Sequence, residues 1–185
     1  LPGYGADRYI AWAVLEHRIN GKRFLFTSTH LEPRNDSAGS RRFYNIRNAQ
    51  ARAVAQTIAA RRGNLPVIAV GDYNSTKWDV PSNGPYDIMR SAGFVDPLGN
   101  GYRSTTGTSG ATVEKRINTQ YASYNELQVQ ARRTDGVNGS NPDYIFVSPM
   151  RVLEWETVLK VNAAGRFIGS PPSDHNLIRA TVLLP

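Results

Sequence analysis

Four short segments of this 185-residue chain carry the side chains best suited to chemistry, each where a predicted strand ends or begins. Three kinds of group recur in them: carboxylates, amides and imidazoles. The segments are Ser28-Thr29-His30-Leu31, Gly71-Asp72-Tyr73-Asn74, Pro142-Asp143-Tyr144-Ile145-Phe146 and Ser173-Asp174-His175-Asn176. Each of them alone is a common feature of loops and turns, so the prediction of a site rests on all four together.

The oxygen-bearing side chains of these segments predict a site for a hard divalent cation. Mg²⁺ binds few protein oxygens and keeps some of its waters. Asp72, Asn74 and Asp174 supply such oxygens. Oxygen ligands suit Mn²⁺ and Ca²⁺ as well, so the sequence leaves the choice among these three metals open.

The two histidines of these segments predict groups that exchange protons or bind phosphate. The imidazoles of His30 and His175 can donate to a phosphate, or accept a proton from water, near neutral pH. A carboxylate that bonds one ring nitrogen fixes the tautomer of an imidazole and raises its basicity. Asp143 is the candidate for that contact with His175.

The elements that must position these groups follow from the hydrophobic pattern. Predicted strands lie at 9–19, 22–31, 65–70, 144–147, 152–161 and 176–184, with helices at 41–62 and 86–91. Asn20-Gly21 predicts a hairpin turn between the first two strands. The segment from Gly99 to Gly139 is rich in Gly, Ser, Thr and Asn, and we expect a strand within it at 121–129. Strands mixed with few helices predict an α/β or α+β fold with a substantial sheet.

Composition limits the class of protein. Hydrophobic residues make up 40% of the chain, enough for the core of one domain. The absence of cysteine excludes disulfides, thiolate metal sites and a cysteine nucleophile. No apolar run approaches the roughly 20 residues that cross a bilayer, so we expect no stable membrane insertion. A secreted bacterial protein and a cytoplasmic protein fit the composition equally well.

The net charge of +7 favours a polyanionic partner such as nucleic acid. Two sets of side chains could serve such a partner: Arg41, Arg42, Arg47 and Arg52 on the long helix, and the aromatic residues Tyr73, Trp78 and Tyr102 near the motifs. The arginines fit a phosphate backbone, and the aromatic rings could stack on a base or sugar. A solvated helix face and ordinary packing would explain the same residues, so both interpretations stay open.

Taken in order, the four segments resemble the last four signature segments of the endonuclease/exonuclease/phosphatase superfamily. This superfamily includes pancreatic-type deoxyribonucleases, abasic-site endonucleases, inositol polyphosphate phosphatases and bacterial sphingomyelinases. The resemblance implies a deoxyribonuclease I-like fold, a two-sheet sandwich flanked by helices with the site at the top edge of the sheets. It extends from about Tyr9 to Pro185, and we expect residues 1–185 to form a single domain that lacks its upstream part.

The resemblance also implies a role for each residue on the phosphate side of the site. His30 would contact the scissile phosphate and stabilise its developing charge. Asp72 would position or activate the attacking water, and Asn74 would bind phosphate.

On the metal side, the resemblance implies that Asp174 is a ligand, with Asp72 and Asn74 as further candidates. His175 would be the base or a phosphate-binding imidazole, oriented by Asp143. Water would then attack in line, with Mg²⁺ and fixed donors stabilising the charge of the transition state.

The superfamily's upstream part carries a Glu that is its main metal ligand, and nothing in this chain resembles its context. Glu16 lies in the first predicted strand and Glu32 follows His30 by two residues, and we expect both carboxylates to be solvated. Half of a sandwich would expose a large apolar face. We therefore expect a second chain or a missing upstream segment to supply the remaining sheet and the Glu.

The predicted function is metal-dependent hydrolysis of phosphodiester bonds by a nuclease acting on DNA. One alternative is a phosphomonoesterase or a sphingomyelinase-like phospholipase of the same superfamily. Another is a non-catalytic half-domain that pairs with a second chain, although the six intact site residues argue against it. Loops carry specificity on such scaffolds, so the segment from Gly99 to Gly139 is expected to determine substrate choice.

Overall fold

A computed structural model of the chain describes residues 1–3, 7–77, 83–99, 112–134 and 138–185. In chain order its elements are β1 (Ile10–Glu16), β2 (Arg23–His30), α1 (Arg42–Arg62), β3 (Val67–Asp72), α2 (Gly84–Ser91), β4 (Val113–Ile117), β5 (Asp143–Val147), β6 (Arg151–Val158) and β7 (Leu177–Leu183). One sheet has the order β1-β2-β3-β5 and the other the order β4-β6-β7. The predicted mixed α/β fold with two sheets and few helices is confirmed.

The four-stranded sheet is covered by helix α1 on its outer face. Leu25 of β2 and Val67 of β3 point to this side and are fully buried. They belong to one hydrophobic cluster with Val54 and Ile58 of α1. Residues spaced three to four apart on a helix share a face, which is why Ala51, Val54 and Ile58 all lie on the buried side of this helix.

The opposite face of the same sheet packs against the three-stranded sheet. Ile145 and Val147 of β5 alternate with residues that face α1, because side chains alternate along a strand. They form the second hydrophobic cluster, together with Val152 and Trp155 of β6. Trp155 is almost completely buried and fills the space between the sheets.

Most predicted elements occur, with modest shifts at their ends. The hairpin between β1 and β2 is present, and Gly21 adopts a positive φ of 68° in its turn. β3 ends at Asp72 rather than at Val70, so the motif aspartate is the last residue of the strand. Within the described residues, neither helix has an apolar stretch long enough to cross a membrane.

The strand predicted at residues 121–129 is wrong. This part of the chain forms turns and isolated bridges, and the strand of the region is β4, at Val113–Ile117. The sequence of β4, Val-Glu-Lys-Arg-Ile, has three consecutive charged residues in its middle. Its edge position leaves charged side chains in solvent, so the apolar alternation that marks a strand is absent. Residues 100–111 and 135–137 of the same region lie outside the described part of the chain.

The register of three neighbouring strands brings the motif residues together. β2 and β3 pair in parallel, with His30 opposite Asp72, and β5 pairs antiparallel to β3, with Asp143 opposite Asp72. The three side chains therefore lie in one row at one edge of the sheet. Gly71, the residue before Asp72, has its Cα so close to β2 that an added Cβ would lie 2.2 Å from the carbonyl oxygen of Thr29.

Gly71→Ala should therefore both destabilise the protein and disturb the row. The added methyl group would push β3 away from β2, and it would also occupy a backbone with φ +154°. Overpacking of this kind costs about 1–3 kcal/mol of unfolding free energy. Urea unfolding measures this loss, and an assay of the hydrolysis that the sequence predicts measures whether the disturbed row still functions.

Gly39→Ala is the matched control, because Gly39 has φ +77° but no atom within 4 Å of an added Cβ. Its effect should be limited to backbone strain, with activity retained. If Gly71→Ala keeps the activity of the Gly39→Ala protein, close packing of β2 against β3 does not matter to the site.

Candidate functional site

A cleft of about 520 Å³ opens where the row of motif residues reaches the edge of the sheet. Five of the six predicted site residues line it directly: His30, Asp72, Asn74, Asp174 and His175. The sixth, Asp143, lies behind His175 and bonds to it. The structure therefore brings all six predicted residues together, although they come from four separate parts of the chain.

The imidazole of His175 is held by the contact expected from the sequence. Asp143 Oδ2 lies 2.8 Å from Nδ1 of His175 and also accepts a hydrogen bond of 2.6 Å from Ser123 Oγ. With Nδ1 engaged by a carboxylate, Nε2 is the nitrogen that faces the cleft. The ring also packs against Tyr124, at 5.0 Å between centroids. The orientation of His175 is thus fixed by a carboxylate at one nitrogen and an aromatic ring at its face.

Asp72 lies between the two histidines. Its Oδ2 is 3.4 Å from Nε2 of His30 and 3.9 Å from Nε2 of His175. Its Oδ1 accepts a 2.7 Å hydrogen bond from the backbone N–H of Asn74. Asn74 has a positive φ of 46°, a conformation that asparagine tolerates, and its Nδ2 donates to the carbonyl oxygen of Leu31. This amide is therefore anchored through Nδ2, which leaves Oδ1 as the atom that can meet a ligand.

Burial and neighbouring charges raise two pKa values at the site. Burial raises the pKa of Asp72, and the neighbouring carboxylate of Asp143 adds to the effect. Burial disfavours the charged form of His175, but the hydrogen bond to Asp143 and the charges of Asp143 and Asp72 outweigh it and raise the pKa of His175. Both groups therefore hold a proton to higher pH than they would in an unfolded chain.

A group of ligand atoms suitable for a cation lies at the wall of the cleft. One carboxylate oxygen of Asp72, one of Asp143 and a ring nitrogen of His175 lie within 4.8 Å of one another. Asp174, another metal ligand predicted from the sequence, lines the same cleft but is not part of this group, and the predicted ligand Asn74 lines the cleft as well. Asp143 and His175 are bonded to each other, so Asp72 is the member of the group that is best placed to bind a cation.

Glu32 differs from its prediction, because it is buried rather than solvated. Its side chain is only 1% exposed, and both of its carboxylate oxygens bond the Arg34 guanidinium, at 2.6 and 2.9 Å. Its backbone N–H donates to Gln50 of α1 at 2.8 Å. Glu32 thus anchors the segment after His30, whose next residues, Pro33 and Asn35, line the cleft. Glu16 is exposed, as expected.

Arg47 also differs from its prediction as part of a surface for nucleic acid. Its side chain is 6% exposed, and it donates to the carbonyl oxygens of Glu32 and Arg34, at 3.3 and 2.7 Å. Tyr73 is completely buried against Tyr144, with ring centroids 5.6 Å apart, so it does not present a face to a base. Trp78 and Tyr102 lie outside the described residues.

The sequence did not single out Ser123, which donates to Asp143, or Tyr124 and Arg132, which line the cleft. They belong to a segment that the sequence marks only as rich in small polar residues. Backbone bonds bring it to the site: the N–H of Asn125 donates to Asp174 O at 2.7 Å, and the N–H of Asn176 donates to Ser123 O at 2.6 Å. No local motif signals these long-range contacts.

Comparison with known sequences identifies one protein family. The sequence profile of the endonuclease/exonuclease/phosphatase family matches residues 2–175, which is nearly the whole chain. Among curated proteins, no sequence matches significantly.

Solved structures with the same fold include proteins named as a phosphatase, a toxin and a sphingomyelinase. A mannosyl-6-phosphatase from Bacteroides thetaiotaomicron VPI-5482 is 22% identical with a TM-score of 0.69, over 98% of this chain and 60% of that one. Beta toxin from Staphylococcus aureus, solved as an F277A, P278A mutant with bound magnesium ions, is 17% identical with a TM-score of 0.60, over 94% and 57%. Sphingomyelinase C from Streptomyces griseocarneus is 16% identical with a TM-score of 0.57, over 92% and 56%. The chain thus spans less than two thirds of the length of each.

The hydrogen bond between Asp143 and His175 predicts a pH effect in the metal-free protein. Because the folded-state pKa of His175 is raised, its charged form stabilises the fold below the ordinary pKa, and this contribution is lost as pH rises through the raised pKa. Asp143→Asn removes the carboxylate that holds the proton. We expect a lower pKa of His175 in an NMR titration of its ring, and a smaller gain in stability on acidification.

Asp87→Asn is the control for net charge, because Asp87 lies on α2, away from the cleft. It should leave the titration of His175 unchanged. An unchanged or higher His175 pKa in Asp143→Asn would mean that Asp143 does not hold the imidazolium.

Proposed function

Since the chain belongs to the endonuclease/exonuclease/phosphatase family, we propose that its cleft hydrolyses phosphate esters with the help of a divalent metal ion. The observation that carries this proposal is the contact series Asp143–His175–Asp72–His30, with distances of 2.8, 3.9 and 3.4 Å. It combines an oriented imidazole, a shared carboxylate and a second imidazole in one open cleft.

Each group in this series has a part in the proposed reaction. Asp143 holds Nδ1 of His175, so Nε2 of that ring can exchange a proton or donate to a phosphate oxygen. Asp72 lies between the imidazoles, where it can orient a water molecule for in-line attack. His30, at the mouth of the row, can donate to the phosphate as negative charge develops on it. The oxygen of the attacking water forms a bond to phosphorus as this water loses a proton. The bond between phosphorus and the ester oxygen breaks, and the alcohol leaves with a proton.

The donor set fits a hard divalent cation. The cleft offers carboxylate oxygens from Asp72 and Asp174 and an amide oxygen from Asn74, all of which suit Mg²⁺, Mn²⁺ or Ca²⁺. When bound, the cation would neutralise charge on the phosphate and its leaving oxygen. The similarity to a beta toxin solved with magnesium ions supports Mg²⁺ as the first choice.

We propose that the missing ligands and the missing strands come from the same source, an upstream segment or a second chain. The face of β1 and β2 that lies opposite α1 carries Leu15, Phe24 and Phe26. Leu15 is 42% exposed, and Phe26 lines an open cavity of about 500 Å³ together with Ile178 of β7, an edge strand of the second sheet. A strand-bearing segment placed beside β7 would cover this apolar face and could contribute a Glu ligand.

Within this chemistry, we propose DNA phosphodiesters as the substrate. The net charge of +7 supports a polyanionic substrate, and the cleft is open to solvent. A phosphomonoesterase or a phospholipase is the second candidate. The fold similarity to a mannosyl-6-phosphatase and to a sphingomyelinase C favours it.

Nicking of supercoiled plasmid by the full-length protein tests this function. We expect Mg²⁺-dependent nicking that EDTA abolishes and that His175→Ala lowers by roughly 10²–10⁴-fold, the usual contribution of a positioned acid or base. His17→Ala is the matched control, because His17 lies in the exposed hairpin turn and should have no effect.

The other outcomes distinguish the alternatives. Release of phosphate or of choline phosphate without nicking would replace DNA by the second candidate. Nicking by the full-length protein but not by residues 1–185 alone would support a further segment that completes the site. Equal nicking by the His175→Ala and His17→Ala proteins would contradict the proposed role of this cleft.

A further inference from the structure

Arg132 lines the cleft but belongs neither to the row of motif residues nor to the proposed metal site. Among the described residues that line the cleft, it is the one with a permanent positive charge. The other ionisable groups there are the carboxylates of Asp72 and Asp174 and the imidazoles of His30 and His175. A positive side chain fixed at the rim of a phosphoesterase cleft can bind an anionic group of the substrate.

The backbone fixes the segment that carries Arg132 relative to His175. Tyr124 forms a bridge with His175, and the N–H of Asn125 donates to Asp174 O. The side chain of Asn125 is fully buried and donates to both Ser173 O and Asn176 Oδ1, at 3.0 Å each. The position of this segment is therefore tied to the motif that contains His175.

The guanidinium of Arg132 is held in place before any substrate arrives. Its Nη1 lies 2.8 Å from Glu126 Oε1, and its Cζ lies 5.9 Å from the ring centroid of Tyr124. Glu126 and Leu127 both adopt left-handed backbone conformations, with φ of 58° and 57°. Such conformations are strained for residues with side chains, and strain of this kind is concentrated at functional sites. The turn returns Glu126 towards Arg132.

A contribution to folding alone does not explain this arrangement. The side chains of Arg132 and Glu126 are 50% and 45% exposed, and exposed ion pairs of this kind add little to stability. By contrast, an arginine with its orientation fixed loses less freedom when it binds an oxyanion, and its planar group matches a phosphate with two hydrogen bonds.

We propose that Tyr124 and Arg132 form a subsite for a second phosphate of the substrate, next to the scissile one. This subsite rests on the proposed phosphoesterase function and specifies its substrate class: molecules with two or more closely spaced phosphates, as along a nucleotide strand. Tyr124 packs on His175 and provides the aromatic surface between the reacting phosphate and the second one.

The distances fit a nucleotide strand. The Tyr124 ring lies 5.0 Å from that of His175 and 5.9 Å from Arg132 Cζ, which bounds the separation of Arg132 from His175 at about 11 Å. Successive phosphates of a strand advance about 3.4 Å along the helix axis, and they lie farther apart than this in space because the strand winds around the axis. A phosphate roughly one or two nucleotides from the scissile one therefore falls within reach of Arg132. A small bisphosphate presents the same chemistry from another source.

The test uses matched substrates and matched variants of the full-length protein. The substrates are the 3′- and the 5′-(4-nitrophenyl phosphate) of thymidine, each with and without a phosphate on the other hydroxyl, so that both strand directions are covered. The variants are Arg132→Gln and Arg133→Gln, which remove the same charge from adjacent exposed positions. Only Arg132 lines the cleft.

For one of the two strand directions, the second phosphate should lower KM on the order of tenfold, the effect of a hydrogen-bonded charge pair. Arg132→Gln should abolish this preference and Arg133→Gln should keep it. No preference in the parent protein, or equal loss in both variants, would overturn the subsite, because the effect would then be absent or due to net charge alone.

A binding measurement separates this proposal from the proposed function. Calorimetry with thymidine 3′,5′-bisphosphate and with each thymidine monophosphate needs no turnover. Tighter binding of the bisphosphate that depends on Arg132 would support the subsite even if no ester were hydrolysed, whereas equal binding would overturn it even in an active enzyme. A thymidine tetranucleotide that gains further Arg132-dependent affinity would identify a strand, rather than a small bisphosphate, as the source.

Discussion

The register between β2, β3 and β5 is the constraint on which the site depends. Because β2 and β3 are parallel and β5 runs the other way, the end of two strands and the beginning of a third meet at one edge of the sheet. His30, Asp72 and Asp143 are consecutive cross-strand partners there. A shift of one residue in any pairing would turn a motif side chain to the other face of the sheet. The close approach at Gly71, which only glycine permits, keeps β2 and β3 at this spacing.

The row of motif residues places two carboxylates next to each other, which disfavours the state in which both are charged. Asp72 and Asp143 lie side by side and are largely buried, with side-chain exposures of 14% and 17%, and the pKa of Asp72 is raised as a result. The imidazoles of His30 and His175 contact these carboxylates, and in the proposed function a divalent cation would balance the negative charge. Binding of a cation and binding of a proton then compete for the same carboxylates. Glu32 and Arg34 are bonded to α1 through Gln50 and Arg47. These bonds hold Pro33 and Asn35 in place at the side of the cleft next to His30.

Sequence was sufficient to predict the parts of this protein that depend on local pattern. The helix α1 and the strands of the four-stranded sheet have clear apolar spacing, and the six site residues stand in recognisable motifs at strand ends. The pairing of Asp143 with His175 was expected from the order of the motifs, and the distance of 2.8 Å agrees with it.

The errors have a common physical cause, which is that burial and contact are set by residues distant in the chain. β4 has no apolar alternation, since it is an edge strand with charged side chains. Glu32 and Arg47 have charged side chains, which are typical of a surface. Both are buried because the loop after β2 packs on α1, where Arg47 donates to the carbonyl oxygens of Glu32 and Arg34. Tyr124 and Arg132 reach the cleft because backbone hydrogen bonds join Asn125 to Asp174 and Ser123 to Asn176, which are positions about fifty residues apart. No pattern within a short window of sequence carries that information.

Paramagnetic NMR can decide whether His30, Asp72 and His175 form a single metal-dependent site. The chain has three histidines, His17, His30 and His175, and their ring signals can be followed while Mn²⁺ is added to the full-length protein. If the site exists, substoichiometric Mn²⁺ broadens the signals of His30 and His175 and leaves that of His17 unchanged, and excess Mg²⁺ reverses the effect. Broadening of all three signals to the same extent, or of neither cleft histidine in an enzyme that requires metal, would contradict the existence of this site.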